Sequence, residues 1–315
     1  MTISDPTPAA LSRAARILRD GDVVAFPTET VYGLGADATS DRGVTRIFEA
    51  KGRPQFNPLI VHVTTPEQAA EHAIFGDLAR ELSRRFWPGP LTLVLPRQVN
   101  CRVSWLATAG LETIAIRCPA HPVAQALLKA FGGPIAAPSA NPSGTVSATS
   151  ARHVAEGLGR SISLILDGGP SMHGLESTII GLTGSRPTML RSGAIPRADL
   201  EAITGRLGQA DDHETAPHAP GRLRRHYATS KPIRLNARSI AGSEALLAFG
   251  PPLAGSSITM NLSESGSLPE AASNLFSMLR ALDRTSADAI AVMPIPNHGL
   301  GEAINDRLDR ATVRE

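Results

Sequence analysis

The chain has 315 residues, 42% of them hydrophobic and 19% charged, with a formal net charge of +2. That length accommodates two domains with real cores, and the near-neutral charge argues against a dedicated polyanion binder. Two cysteines, Cys101 and Cys118, make neither a C-x-x-C pair nor a disulfide framework, which argues against thiolate-bound zinc and fits a reducing cytoplasm.

From the start, Leu11, Ala14, Ala15 and Leu18 recur at helical spacing, with Thr7 and Pro8 before them and Gly21 after. No signal peptide or membrane span is expected around this helix. VVAF at 23–26 reads as a short buried strand. It runs into PTETVYGLGADA at 27–38, a polar stretch placed where an α/β sheet meets its crevice, and so a place for a ligand. Further on come GVTRIFEAKG, PLIVHV, a helical stretch to Phe86, LTLVLP, TIAIRC, HPVAQALLKAFG and PIAAP. SLILDGG, STIIGL, PTMLRSG and a helix near 197–204 close the run. This alternation predicts an α/β domain over 1–205 with a mixed or largely parallel sheet.

Residues 206–231 are polar, carry several prolines and show almost no apolar period, so they read as a linker. After them ALLAF, SSITMNL, PEAASNLFSMLRALD, DAIAVMPI and GLGEAINDRLDRA predict a second, smaller α/β unit over 232–315.

Gly33, Gly35 and Ala38 match G-x-G-x-x-A, the weak form of the dinucleotide fingerprint. The place for its acidic ribose partner holds Arg53 and Pro54, and no P-loop occurs, so a tight glycine turn is the better reading. KGRPQFNPLIVHV sets Lys51 and Arg53 around a glycine, followed by Asn57, with His62 inside an apolar strand. Lys51 is one of only three lysines among 31 cationic residues. Two such cations suit phosphate oxygens, arginine as a fork and lysine as a point charge, although a K-G-R loop taken alone is more often a solvated turn, and His62 alone reads as a core histidine. PIAAPSANPSG aims Ser139, Asn141 and Ser143 from a stiff loop. Glu176 and Ser177 enter one strand, and Arg117 and Arg191 end two others, which is the distribution a crevice site requires. No nucleophile elbow, H-E-x-x-H or carboxylate dyad is present. Cations and neutral polar groups suit stabilising charge at phosphorus.

Taken in order, PTETVYGLG, KGRP with PLIVHV, FWPGPLTLVL, AIRCPAHP, APSANPSG, GLESTII and LRSGAI resemble the motifs of the threonylcarbamoyl-AMP synthases of the YrdC-like superfamily. PGRLRRHYA and GLGEAINDRL resemble the long, two-domain form of that family. The resemblance implies a twisted, mixed-sheet α/β domain with a concave basic cavity, plus a smaller Rossmann-like α/β domain. It implies a cytoplasmic nucleotidyltransferase that condenses L-threonine, bicarbonate or CO2 and ATP, with Mg2+, into threonylcarbamoyl-AMP and pyrophosphate. The adenylate would serve the tRNA threonylcarbamoyl transferase machinery, which modifies the adenosine beside the anticodon.

Carried over position by position, Lys51 and Arg53 match the catalytic cations, grouped with Ser139 and Asn141 around the triphosphate. Asn57, Thr113, Ser147, Arg191 and Tyr227 match further ATP contacts. Thr30, His62, Arg117, Ala137 and Ser177 match positions that hold threonine, Arg117 taking its carboxylate and Ala137 offering only backbone. Metal ligands are not assigned. Residues 217–229 match a segment that closes over the nucleotide, with Tyr227 as its contact point.

Two other readings compete. An RNA-binding module is weakened by the low charge and by 4% aromatic content, which leaves weak RNA binding as a side activity. Carbamoyl transfer for hydrogenase maturation uses a related domain, but its lineage carries cysteine-rich fingers that two isolated cysteines do not supply.

Overall fold

A computed structural model describes residues 1–54, 56–209 and 226–313. Part of the expected linker, 210–225, and with it residues 217–225 of the expected lid, lies outside the described residues. The chain opens with β1 (Thr2–Ser4), α1 (Pro8–Arg19), β2 (Val24–Phe26), β3 (Gly33–Asp37) and α2 (Asp41–Lys51). It continues through β4 (Ile60–His62), α3 (Pro66–Ala70), α4 (Asp77–Phe86), β5 (Leu91–Pro96), β6 (Thr113–Arg117) and α5 (Pro122–Phe131). β7 (Ile135–Ala136), α6 (Ala151–Leu158), β8 (Leu164–Leu166), β9 (Thr178–Gly181), β10 (Thr188–Arg191), α7 (Arg197–Thr204) and β11 (Gly208–Gln209) complete the first unit.

Local chemistry sets these limits. Thr7 caps α1, its hydroxyl accepting from Ala10 N at 3.2 Å with Pro8 beside it, and the apolar stripe read from the sequence is the buried face. Ser40 caps α2, and Gly52 ends it in a left-handed conformation at φ 59°. That stop leaves Lys51 as the last residue of α2 and puts Arg53 just beyond it.

The eleven strands pair in the order β1-β8-β2-β3-β7-β4-β6-β5-β9-β10-β11. The sheet is mixed, since the short 27–32 loop between β2 and β3 is too brief for a crossover and forces an antiparallel pair. β4 pairs parallel with β6 and antiparallel with β7, and β5 pairs parallel with β9. Along β2 the side chains alternate between two cores, Ala25 on one face with Val24 and Phe26 on the other. β1 and β11 escaped the sequence reading; the first pairs with β8 and the second extends the sheet from β10 into the expected linker.

Gly33 and Gly35 sit inside β3 and not in a tight turn. A Cβ on Gly35 would lie 2.7 Å from the Phe26 ring and 2.8 Å from Ile135, so glycine there permits close packing.

The second unit holds β12 (Ile233–Arg234), β13 (Glu244–Ala248), β14 (Thr259–Asn261), α8 (Leu268–Asp283), β15 (Ala289–Val292) and α9 (Leu300–Thr312). Its strands are all parallel, in the order β12-β15-β13-β14. Val31, Val146 and Leu175 of the first unit join the core formed by α8 and α9. Arg280 donates to the carbonyls of Val146 and Ser147, and Arg284 pairs with Glu156, so α8 clamps the loop before α6. No helix among the described residues is long and apolar enough to cross a membrane.

Candidate active site

The polar turn after β2 is built around one hydroxyl. Thr28 Oγ1 donates to Val31 O at 2.6 Å, accepts from the amides of Thr30 and Val31, and lies 2.8 Å from Thr30 Oγ1. Thr30 is thereby fixed beside the end of β6, where Arg117 Nη1 donates to its hydroxyl at 3.0 Å. Arg117 Nε donates to Gly89 O at 3.2 Å, and Nη2 meets Glu29 Oε1 at 2.5 Å in a buried ion pair. Burial alone would raise the Glu29 carboxyl, but Arg117 outweighs it and holds the group below its ordinary range.

Arg117, Thr30, His62, Ala137, Ser177, Arg53, Ser139 and Arg191 surround one cavity of about 50 Å³, together with Glu176 and His226. His62 ends β4, packs edge-on against Phe26 at 6.2 Å and places Nδ1 3.2 Å from Ile60 O. It is thus both a core residue and a wall of the cavity. Burial, reinforced by Arg117, pushes its imidazole down to about 3, so it is neutral at ordinary pH.

Lys51 and Arg53 meet only backbone oxygens among the described residues. Lys51 Nζ donates to the carbonyls of Ser139, at 2.6 Å, and Asn141, while Arg53 donates to Asn57 O and, at 3.0 Å, to Pro58 O. Burial lowers the Lys51 ammonium well below its ordinary value, with Arg53 adding to the effect. Burial likewise lowers Arg53, with Arg191 as its cationic neighbour. Arg191 Nη2 reaches Ser177 O at 2.8 Å and Ser177 Oγ at 3.1 Å, and Ser177 Oγ lies 2.7 Å from Thr92 Oγ1. Cations held down by burial and by one another are poised to take an anion.

Asn57 and Asn141 are buried, with both side-chain amide atoms of Asn57 and the Oδ1 of Asn141 unpartnered among the described residues. Ser147 does not line the cavity; its hydroxyl binds Glu176 Oε1 at 2.6 Å. Thr113 stands at the opposite end of β6 from Arg117, paired with Pro96, and the strand does not bring it to this cavity. Tyr227 is fully buried, stacked on Phe276 at 5.2 Å, with its hydroxyl unpartnered among the described residues. A residue so enclosed is an anchor of the interdomain core as well as a candidate contact.

Four groups went unassigned from sequence. Glu29 and His226 flank assigned residues and carried no separate signal. Glu176, noted at its strand entry, bonds Arg307 Nε at 3.1 Å from α9. Burial would raise Glu176, but Arg307 and then Arg191 bring it down to about 2. Arg307 did carry a signal: it shares the buried stripe of α9 with Ala303, Ile304, Leu308 and Ala311, a lone cation on an apolar face.

Residues 16–193 match the Sua5/YciO/YrdC family model, described as "Telomere recombination", and 195–313 match "Threonylcarbamoyl-AMP synthase, C-terminal domain". The chain belongs to the Sua5/YciO/YrdC family. It is 42% identical to the threonylcarbamoyl-AMP synthase of Pyrococcus abyssi (strain GE5 / Orsay), over 95% of this chain and 93% of that one. It is 40% identical to that of Bacillus subtilis (strain 168), over 99% and 94%. The crystal structure of P. abyssi Sua5 complexed with L-threonine superposes with a TM-score of 0.89 at 39% identity, covering 96% of this chain and 94% of that chain. Both Sua5 units, with the mixed sheet and the smaller parallel one, are therefore present here.

Proposed function

We propose that this protein is an L-threonylcarbamoyladenylate synthase, a nucleotidyltransferase that joins L-threonine, bicarbonate or CO2 and ATP and releases pyrophosphate. The observation that carries the reading is one cavity whose wall brings together Arg53, Arg191, Arg117 and Thr30. In this reading the threonine amine adds to the carbon of CO2 or bicarbonate, losing a proton and, from bicarbonate, water. A carbamate oxygen then forms a bond to the α-phosphorus of ATP as the bond to the pyrophosphate oxygen breaks. Lys51, Arg53 and Arg191 hold phosphate oxygens and stabilise the charge that moves onto the leaving group. Ser139, Asn57 and Asn141 supply neutral contacts in the same region. Arg117 takes the threonine carboxylate, while Thr30, Ser177 and His62 face the rest of the amino acid.

Among the described residues no cluster of three or more His, Cys, Asp and Glu could hold a metal. Both nearby carboxylates are committed, Glu29 to Arg117 and Glu176 to Ser147 and Arg307. The unpartnered oxygens of Asn57 and Asn141 suit the water shell of a Mg2+ that arrives on the triphosphate. When bound, that ion would neutralise phosphate charge.

A cavity of about 50 Å³ is far smaller than the roughly 300–1,000 Å³ of an ordinary ligand site. His226 is one of its walls, and in this reading the segment around His226 and Tyr227 shifts to admit ATP. Cytoplasmic location and delivery of the adenylate to tRNA-modifying partners follow from the same reading. The test is pyrophosphate release with ATP, bicarbonate and L-threonine omitted in turn: release should need all three. Valine should be turned over far less well than threonine, because it leaves hydroxyl partners unmatched. Equal turnover with valine, or release of phosphate instead, sinks the reading.

A further inference from the structure

Glu29 is buried, ionised and outside the cavity wall, yet it touches a group that lines it. Its Oε1 meets Arg117 Nη2 at 2.5 Å and its Oε2 accepts from His121 N at 3.3 Å, so both oxygens are occupied. The backbone is pinned as well: Glu29 O accepts from His173 N at 2.8 Å, and Thr28 Oγ1 closes the turn around it. This carboxylate has little freedom to swing toward a substrate.

The guanidinium of Arg117 has five N–H groups. Three are spent, on Gly89 O, Thr30 Oγ1 and Glu29 Oε1, and these acceptors leave one N–H on each terminal nitrogen among the described residues. Two N–H groups are what one carboxylate uses in a forked pair. Without Glu29 the plane would be held only by the two longer contacts, at Nε and one terminal nitrogen, and the Nη2 side, with its free donor, would lose its charged anchor. A second effect concerns charge. With Glu29 ionised, the Arg117 end is neutral before substrate arrives, which suits an amino acid that enters as a zwitterion and not as a polyanion.

We propose that Glu29 is a positioning residue for the threonine subsite: its buried pair with Arg117 fixes the two free N–H groups that meet the substrate carboxylate. The inference rests on the reading of Arg117 as the carboxylate contact, and the experiment separates the two. Pyrophosphate release by the full chain is measured against threonine at saturating ATP and bicarbonate, then against ATP at saturating threonine. Arg117→Lys keeps the charge and loses the fork, and should raise the threonine KM at least about tenfold, the size of a lost charge-assisted contact. Glu29→Gln should raise the threonine KM by about tenfold too, with the ATP KM and kcat held within about twofold.

A normal threonine KM for Arg117→Lys overturns the reading of Arg117. A raised KM for Arg117→Lys beside a normal one for Glu29→Gln leaves that reading standing and overturns the role of Glu29. Threonine and ATP KM rising together in Glu29→Gln also overturns it, since general loosening is then the cause. Should Glu29→Gln not fold, Glu29→Asp keeps the charge and withdraws it by one methylene. The same selective threonine defect supports the proposal, and unaltered kinetics reject it.

Discussion

The two cationic groups of the site treat charge in opposite ways, and of their cations Arg53 and Arg117 line the cavity while Lys51 lies behind its wall. Around Lys51 and Arg53 the cations rest on backbone carbonyls, and no carboxylate meets either among the described residues. Around Arg117 the cation is matched by Glu29 and flanked by hydroxyls and a neutral imidazole. An unmatched cluster raises its own electrostatic cost until an anion arrives, which under the proposed function would concentrate binding energy on phosphate. A matched pair does the reverse. It is stable when empty and contributes geometry more than net charge, as a zwitterionic substrate demands. The fold makes this division possible because the two clusters sit on different elements, one past the C-terminal stop of α2 and the other at the end of β6.

The largest effect that could break this comparison is on stability. Arg117→Ala leaves Glu29 buried and unpaired, and should destabilise the protein by about 3–5 kcal/mol in urea denaturation. Lys51→Met loses two hydrogen bonds to carbonyls but also removes an uncompensated buried charge, so a change below about 1 kcal/mol is expected. Equal losses for the two variants would mean that the two groups are not different in kind.

Next in size is the effect on ATP. Arg53→Ala should cost about 1.5–3 kcal/mol of ATP binding or turnover, roughly ten- to a hundredfold, while the threonine KM stays near normal. A defect shared equally by both substrates would show that Arg53 serves the whole site and not one group of it.

An effect of similar size, shared between two residues, concerns acid. Each group has a buried histidine, His62 beside Arg117 and His226 facing Arg53, Lys51 and Arg191, and burial holds both down to about 3. In the unfolded chain each imidazole gains its proton near pH 6.5. The unfolded state therefore binds more protons between those values, so this stability is complete above pH 6.5 and is lost as pH falls toward 3. Each histidine contributes a slope of about 1.4 kcal/mol per pH unit within that window. The His62→Gln/His226→Gln variant should show a flatter loss between pH 6.5 and 5, above the range where Glu176 begins to matter. An unchanged slope would place the acid sensitivity elsewhere.

What the sequence disclosed and what it hid follow from range. Helix α1, helix α7 and the strands around 23–26 and 113–117 are specified by local periodicity and caps, and they stand where the residues put them. The mixed pairing needed lengths of loops and partners far along the chain. Lys51, Arg53, Arg117 and Arg191 were legible because each lies at the end of a periodic element. Glu29 was not, and Glu176 was legible only as a polar group at a strand entry, since what defines each is a partner 88 or 131 residues away. Arg307 shows the middle case: its place on an apolar stripe is visible locally, but the carboxylate that justifies it is not. Gly35 is another, for glycine in a strand signals close approach without saying to what, and here it is the Phe26 ring.

The smallest effect probes the segment that joins the two units. Tyr227 adopts φ 64°, stacks on Phe276 and lies under the guanidinium of Arg307, 5.5 Å from its ring centre. Truncation to alanine would therefore open a cavity in the shared core and cost about 3–5 kcal/mol, confounding any kinetic reading. Tyr227→Phe avoids this. The hydroxyl has no partner among the described residues, so its removal leaves nothing newly unsatisfied and stability should stay within about 0.5 kcal/mol. If that hydroxyl meets the nucleotide when the segment moves, one neutral hydrogen bond is lost and the ATP KM rises by roughly two- to twelvefold. The threonine KM should not follow if the nucleotide is what the hydroxyl meets. Kinetics unaltered for both substrates would make Tyr227 purely an anchor between the units, and a rise confined to threonine would assign this segment to the Arg117 group instead.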